Sequence, residues 1–368
     1  MPNGWAASAG GFPAMAGNVP FLMKDVVLFA VSVYLLKQGQ LCTLQTDWNM
    51  QHYGQRWSPQ MSIHLTNPIF NDETAAWQHF EAVRWPDGPV CPHCGVINSA
   101  DPIIGKTARH GLYRCRECVK QFTATIGTIY EGSHIPMHKW LLAAHLMCAS
   151  KKGMSAHQLW RMLGFGSYRT AWFMCHRIRE AMAPSNPAPI GGQSNVVEAD
   201  ETFIGGKAKN RAYAKKEPKK HVVMTLVDRD GESRSFHVAN VKAKTLREKI
   251  VTTVNRKSHL MTDELASYEN VGKEFANHGT VDHSANEYVR LGGFVHINTA
   301  ECRFSLMKRA VYGTHHSISE AHLPRYLSEW DYKWNTRKIS DAERAAIAIK
   351  GGEGKRLQYR QPREATHA

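Results

Sequence analysis

Three things are scarce in this sequence, and each scarcity narrows what the protein can be. Acidic residues are outnumbered, with 32 Asp and Glu against 46 Lys and Arg, which leaves a formal net charge of +14 over 368 residues. An excess of that size points to a polyanionic partner, because clustered Lys and Arg gain free energy by displacing counterions from phosphates. A ribosomal or membrane-surface role would satisfy the same number. Apolar runs are short. Val26–Leu36 is about half of the ~20 residues that cross a bilayer, and Lys24 and Asp25 abut it. No small-residue cleavage site follows, so neither a membrane span nor a signal peptide is expected. Cysteines in a disulfide pattern are also missing. Four of the eight stand as Cys91-x-x-Cys94 and Cys115-x-x-Cys118, while Cys42, Cys148, Cys175 and Cys302 are scattered, as suits small buried thiols in a reducing cytoplasm.

What is present suffices for two or three globular domains, with 43% hydrophobic residues to build their cores. Residues 1–60 differ from the rest. They combine a Gly/Ala/Pro-rich opening, the apolar run and a polar stretch, and read as a poorly ordered or mis-assigned N-terminal extension. Residues 61–130 contain a short helix with an acidic start near Asn71-Asp-Glu, then the cysteine pairs. Residues 131–182 are helical, 183–194 form a Pro-rich linker, 195–340 alternate strands and helices, and 341–368 are a C-terminal tail. The expected fold class is α/β (α+β) and multidomain.

The two Cys-x-x-Cys pairs are twenty residues apart. Each can sit on a tight turn whose amides point at sulfur, and together they supply four thiolates for one tetrahedral, structural Zn²⁺. A redox motif needs one pair rather than two. Tyr113, Phe122 and Thr123 alternate around the second pair as in a small ribbon sheet.

Helices are expected from Met137 to about Ser150, from Ser155 to near Gly164, and from about Ser167 to Met182. The short Gly-Phe-Gly turn between the last two suits a helix-turn-helix, although a plain three-helix linker domain fits the periodicity as well. On the third helix Ala171, Met174 and Ile178 form the apolar stripe, leaving Arg169, His176, Arg177 and Arg179 for DNA.

From Val196 the text turns to strands: an apolar run with acids, a hairpin turned at Asp230-Gly231, an amphipathic helix, a strand ending in Asp263, and a helix containing Glu301. A lysine-rich loop with Lys207, Lys215 and Lys216 sits beside the first strand, where it is either a solvated surface or a track for phosphates. Asp200 and Asp263 at strand positions, with Glu301 on a later helix, are a set that can hold two divalent cations about 3.5–4 Å apart for in-line phosphoryl displacement. Hard Mg²⁺ prefers such oxygen ligands. Asn298-Thr-Ala-Glu301 equally fits a capping box, in which Glu301 would be spent on its own helix. Lys308, seven residues on, returns to nearly the same helical face as Glu301, so one face could offer a carboxylate and an ammonium together.

These residues also carry a resemblance. CPHCG, YRCRECVKQFTATIGTIYEGSHIPMHKW, VEADETFIGGK, TDELASY and HINTAECRFSLMKRAVYGTHHSISEAHLPRYLSEWDYKWNTRK, in that order over about residues 62–340, resemble the zinc-ribbon DDE transposases of bacterial insertion sequences, the ISXO-type group. The resemblance implies an RNase H-like catalytic domain, with Asp200, Asp263 and Glu301 as the metal-binding triad and Lys308 as the following basic residue. It further implies two Mg²⁺ replaceable by Mn²⁺, double-stranded DNA at element ends and target, a homo-oligomer on DNA, and a bacterial cytoplasmic location. Some members carry asparagine in place of the last acid, which makes Asn298 a rival or an auxiliary. Cys302-Arg303-Phe304 departs from the small and aromatic residues of relatives. His283 and His296 fall at matching places as weaker candidates.

Overall fold

The computed structural model describes residues 64–105, 108–205, 220–282, 284–285, 287 and 289–358. The segment 1–60, His283 and the lysines Lys207, Lys215 and Lys216 lie outside the described residues.

Helix α1 (Glu73–Arg84) starts at the acidic cluster because Asp72 caps it, its carboxylate accepting from the Ala75 amide at 2.7 Å. The ribbon follows as three short antiparallel strands in the order β1 (Ala100–Pro102), β2 (Leu112–Cys115) and β3 (Gln121–Thr123). Tyr113 and Phe122 are register partners that stack at 5.8 Å, with Trp85 edge-on to both. Strands of three or four residues cannot enclose a core of their own, and they rest on helices α2 (Met137–Ala149), α3 (Ala156–Leu163) and α4 (Tyr168–Met182). Ser155 and Ser167 cap α3 and α4, and Gly164 ends α3 in the left-handed region at φ 60°.

The second half holds a five-stranded mixed sheet of order β6-β5-β4-β7-β8. Its strands are β4 (Val196–Gly205), β5 (Lys220–Asp228), β6 (Ser233–Val238), β7 (His259–Asp263) and β8 (Asn277–Val281). The pairs β4/β5 and β5/β6 are antiparallel, whereas β4/β7 and β7/β8 are parallel. Alternation along the strands sorts two faces. Val197, Ala199, Met224, Leu226 and Leu260 meet Leu246 and Ile250 of α5 (Ala243–Thr253). Ile204 and Val223 face α6 (Asn298–Ala310) and α7 (Leu323–Asn335) through Phe304, Met307, Leu327 and Trp330.

Residues 341–350, expected as part of a tail, are instead helix α8 (Asp341–Lys350), opened by a capping box between Ser340 and Glu343. Ala345, Ala348 and Ile349 form its apolar stripe and join the same core as Phe80, Phe122, Trp140, Leu159 and Ile178. Ribbon, α1–α4 and α8 therefore share one hydrophobic core, rather than forming the separate units 61–130 and 131–182.

Arg177 and Arg179, in the last two turns of α4, are both buried, which corrects the expectation for these two arginines. Arg179 is 1% exposed, donates to Glu329 at 2.7 Å and lies 3.9 Å from the Tyr326 ring centre. Lys333 completes the pair from the other side of Glu329 at 2.5 Å. Arg177 is buried between Trp140 and Phe173 and donates to the Glu131 carbonyl at 2.9 Å. His176 is buried as well, leaving Arg169 as the exposed member of the proposed DNA-facing set. The apolar stripe of Ala171, Met174, Ile178 and Ala181 or Met182 could not reveal that a second helix, α7, packs on the opposite face.

Candidate active site and metal centre

The four paired cysteines converge. Cys91 Sγ lies 3.6 Å from Cys118 Sγ, Cys94 Sγ lies 3.6 Å from Cys115 Sγ, and all four sulfurs are within 4.8 Å of one another. Zn–S bonds of about 2.3 Å at tetrahedral corners put sulfurs roughly 3.8 Å apart, so the set fits zinc as it stands. Cys118 donates its amide to Cys115 Sγ at 3.5 Å, which aims a backbone dipole at the thiolate. His93 is exposed, its ring nitrogen 3.4 Å from the Gln121 carbonyl oxygen, and stays outside the cluster.

Asp200 sits in the middle of β4 and Asp263 at the end of β7. The parallel ladder pairs Val196 with His259 and Glu198 with Met261, and the same offset carries Asp200 to the level of Asp263. Side chains alternate along a strand, so Asp200 shares a face with Glu198 and Asp263 with Met261. Glu198 meets the start of α6, and Met261 packs with Val295 and Ile297 just before it. Both aspartates thus stand on the α6 side of the sheet, and Glu301 lies in the first turn of α6. Asp263 accepts from the Leu265 amide at 3.2 Å, which turns the chain at the strand end. Among the described residues, these three carboxylates do not form a group whose ligand atoms all lie within 4.8 Å of one another. The backbone supplies a common level and face rather than a closed cage. On α6, Glu301, Ser305 and Lys308 are exposed along one stripe, while Arg303, Phe304 and Met307 are buried.

The concentration of negative charge is felt by Glu201, on the other face of β4. Burial pushes its carboxyl up to about 7, Asp263 and Asp200 push it in the same direction, and a hydrogen bond from the Tyr268 hydroxyl partly opposes them. A cation beside the two aspartates would relieve that repulsion.

One residue of the site was not singled out by sequence. Glu198 is fully buried and takes the place of a local cap for α6, whose N-cap residue Ile297 offers no side-chain bond. Its carboxylate accepts from the Thr299 amide at 2.8 Å, the Ala300 amide at 2.9 Å and the Thr299 hydroxyl at 3.0 Å. Arg229 donates to the same carboxylate at 2.6 Å, and its remaining nitrogens bind the carbonyls of Phe294 and His296, each at 2.8 Å. A carboxylate at a helix N-terminus satisfies orphan amides and complements the helix dipole. The Asn298 capping box is thereby displaced, and Asn298 becomes the first helical residue. His296 takes a structural part, its Nδ1 accepting from the Asn298 amide at 3.3 Å. The one available signal was an acid inside the apolar run Val196-Val-Glu-Ala.

Residues 192–335 match the ISXO2-like transposase domain, and residues 71–121 match the transposase zinc-ribbon domain. The two matches together span more than half of the 368 residues. An uncharacterized protein in the transposable element ISH50 of Halobacterium salinarum is 28% identical over 285 residues, covering 70% of this chain and 89% of that one. The first match brackets Asp200, Asp263, Glu301 and Lys308, and the second contains both Cys91-x-x-Cys94 and Cys115-x-x-Cys118. The chain belongs to the zinc-ribbon-bearing, ISXO2-like transposases of insertion sequences.

Proposed function

We propose that this transposase is catalytically competent, with Asp200, Asp263 and Glu301 holding two Mg²⁺, replaceable by Mn²⁺, against one phosphodiester of double-stranded DNA. The observation that carries the reading is the common level and face of Asp200 and Asp263 beneath the helix start that bears Glu301. The strand order, three antiparallel strands followed by two parallel ones, supports an RNase H-like sheet. Bound Mg²⁺ supplies Lewis-acid activation of the attacking oxygen and charge stabilisation at the leaving one. Water attacks phosphorus at the element end and the bond to the 3′-oxygen breaks, freeing a 3′-hydroxyl. That hydroxyl attacks a target phosphodiester, and the target strand's own 3′-oxygen leaves. No covalent protein–DNA bond is required.

Glu301 and Lys308 share one exposed stripe of α6, and the Lys308 ammonium neutralises a neighbouring phosphate. Asn298 offers an auxiliary hydrogen-bonding group in the same first turn. Arg169 at the start of α4 and Lys207, Lys215 and Lys216 bind phosphates without reading sequence, with α3–α4 as the helix-turn-helix. Two ends are joined in one event, so the acting species on DNA is at least a dimer.

The test uses purified protein, Mg²⁺ and DNA carrying the element ends. Parent protein nicks and joins the ends, while Asp200→Ala and Glu301→Ala bind them with parental affinity and do neither. Variants that cut as well as the parent would refute the assignment. Binding without any cleavage by the parent would make the chain a non-catalytic zinc-ribbon regulator, and cleavage without strand transfer a nuclease.

A further inference from the structure

A second cluster of metal-capable side chains lies away from both sites. The β5/β6 ladder pairs Val223 with His237, so His221, two residues earlier on the same face of β5, is the diagonal neighbour of His237. The two imidazole centroids are 5.5 Å apart with planes at 72°. Glu320 opens the 3-10 turn Glu320–His322 that feeds into α7, and its Oε1 lies 4.0 Å from His237 Nε2. Ligand atoms of all three residues lie within 4.8 Å of one another.

The simplest use of these groups is an ion pair between His237 and Glu320, but 4.0 Å exceeds hydrogen-bonding distance. Two neutral imidazole nitrogens and one carboxylate oxygen form a donor set that borderline divalent ions prefer and that Mg²⁺ and Ca²⁺ do not. Both histidines stand on paired strands, so two of the three ligands are fixed by the sheet. Ligands of a tetrahedral zinc at bonds of about 2.0–2.2 Å are roughly 3.4 Å apart. Glu320 keeps 48% of its side chain exposed, so a change of its staggered side-chain rotamer is the movement that closes the remaining gap.

We propose that His221, His237 and Glu320 bind a divalent transition-metal ion such as Zn²⁺, with at least one coordination position open to solvent. The site is distinct from the carboxylates. His221 pairs with Ile204 on β4, four residues and about 13 Å along the strand from Asp200. It is distinct from the four cysteines in donor chemistry. An ion there ties the turn that leads into α7 to the outer hairpin of the sheet, so its loading sets how firmly α7 is held.

The test needs no DNA and no Mg²⁺, so its failure and that of the catalytic reading are separable. Full-length Asp200→Ala protein carrying zinc in its ribbon, which lacks a ligand of the proposed catalytic ions, is titrated with Co²⁺ alone, followed by visible absorption and calorimetry. The expected result is one additional equivalent bound at micromolar or tighter Kd, with ligand-field bands and no sulfur-to-metal charge transfer, and a rise in Tm. His221→Ala, His237→Ala and Glu320→Gln each weaken this equivalent at least tenfold while the ribbon ion stays bound. Because Glu320 is half exposed, Glu320→Gln reports on the site even if a histidine variant folds poorly. Absence of the second equivalent overturns the proposal. So does a second equivalent that survives His237→Ala and Glu320→Gln, which would be adventitious binding to other histidines.

Discussion

Replacing Glu198 by Gln isolates what a buried carboxylate does for the helix that bears Glu301. The amide keeps the volume and one acceptor oxygen, but it removes the charge and leaves one oxygen where two accept, Oε2 from the Thr299 and Ala300 amides and Oε1 from Arg229 and the Thr299 hydroxyl. Hydrogen bonds to a charged group contribute about 1.5–3 kcal/mol each, and removing one partner of a buried ion pair costs about 3–5 kcal/mol. Arg229 is 17% exposed on its side chain and retains two carbonyl partners, which softens the loss toward the lower bound. The expected destabilisation is about 3 kcal/mol, or a Tm lower by about 6–12 °C for a domain of this size. Calorimetry supplies the Tm, and hydrogen exchange reads the Thr299 and Ala300 amides directly, which should exchange markedly faster in the variant. The double variant with Arg229→Met should lose less than the sum of the single losses. If Glu198→Gln melts within a degree of the parent and those amides stay protected, the helix is not held by this carboxylate.

Three further outcomes follow. Cys94→Ser should weaken cobalt binding by the ribbon, lower the sulfur-to-metal charge-transfer absorbance per bound ion because three of the four thiolates remain, and lower Tm for the whole first core, since Cys91, Cys115 and Phe122 belong to it; parental affinity with a parental band intensity would remove Cys94 from the ligand set. Arg179→Met should cost about 3 kcal/mol, the lower end for losing one partner of a buried ion pair because Lys333 still faces Glu329, with DNA affinity unchanged below the melt, whereas a parental Tm with weakened DNA binding would return Arg179 to the DNA surface. Burial is the main cause that holds His176 down at about 3 and His315 at about 4, both from 6.5. The folded state therefore resists protonation that the unfolded chain accepts, and stability present above pH 6.5 is lost as pH falls toward those values. Between pH 7 and 5 the two together should remove about 3–4 kcal/mol in urea titrations; a flat profile would contradict this.

Much of the architecture was legible because it is local. Ser155, Gly164 and Ser167 mark helix ends by their own side chains or backbone. The alternation through Val197, Ala199 and Asp200, and the spacing of the four cysteines, are properties of short stretches. What escaped is non-local. Glu198 caps a helix about a hundred residues downstream, where Asn298 offered a nearer candidate. Arg177 and Arg179 look like a basic face until Trp140, Glu329 and Tyr326 arrive from other parts of the chain. The stripe of α8 is only Ala345, Ala348 and Ile349, too weak to announce a helix that closes a distant core. Of the carboxylates, sequence gave candidates, and strand register gave Asp200 and Asp263 a shared level.

The position of α8 bears on how the chain acquires its structure. Gly352 accepts from the Ile129 amide at 3.0 Å, Thr128 and Glu353 form an isolated bridge, and Arg84 reaches Glu353 at 3.7 Å. The core that carries the ribbon is thus closed by residues far downstream of α4, with the entire five-stranded sheet lying between them in the chain. Such distant closure is slow to find, and a chain that stops short of α8 would leave the C-terminal end of α2 around Cys148, whose carbonyl accepts from Arg344, without its cover.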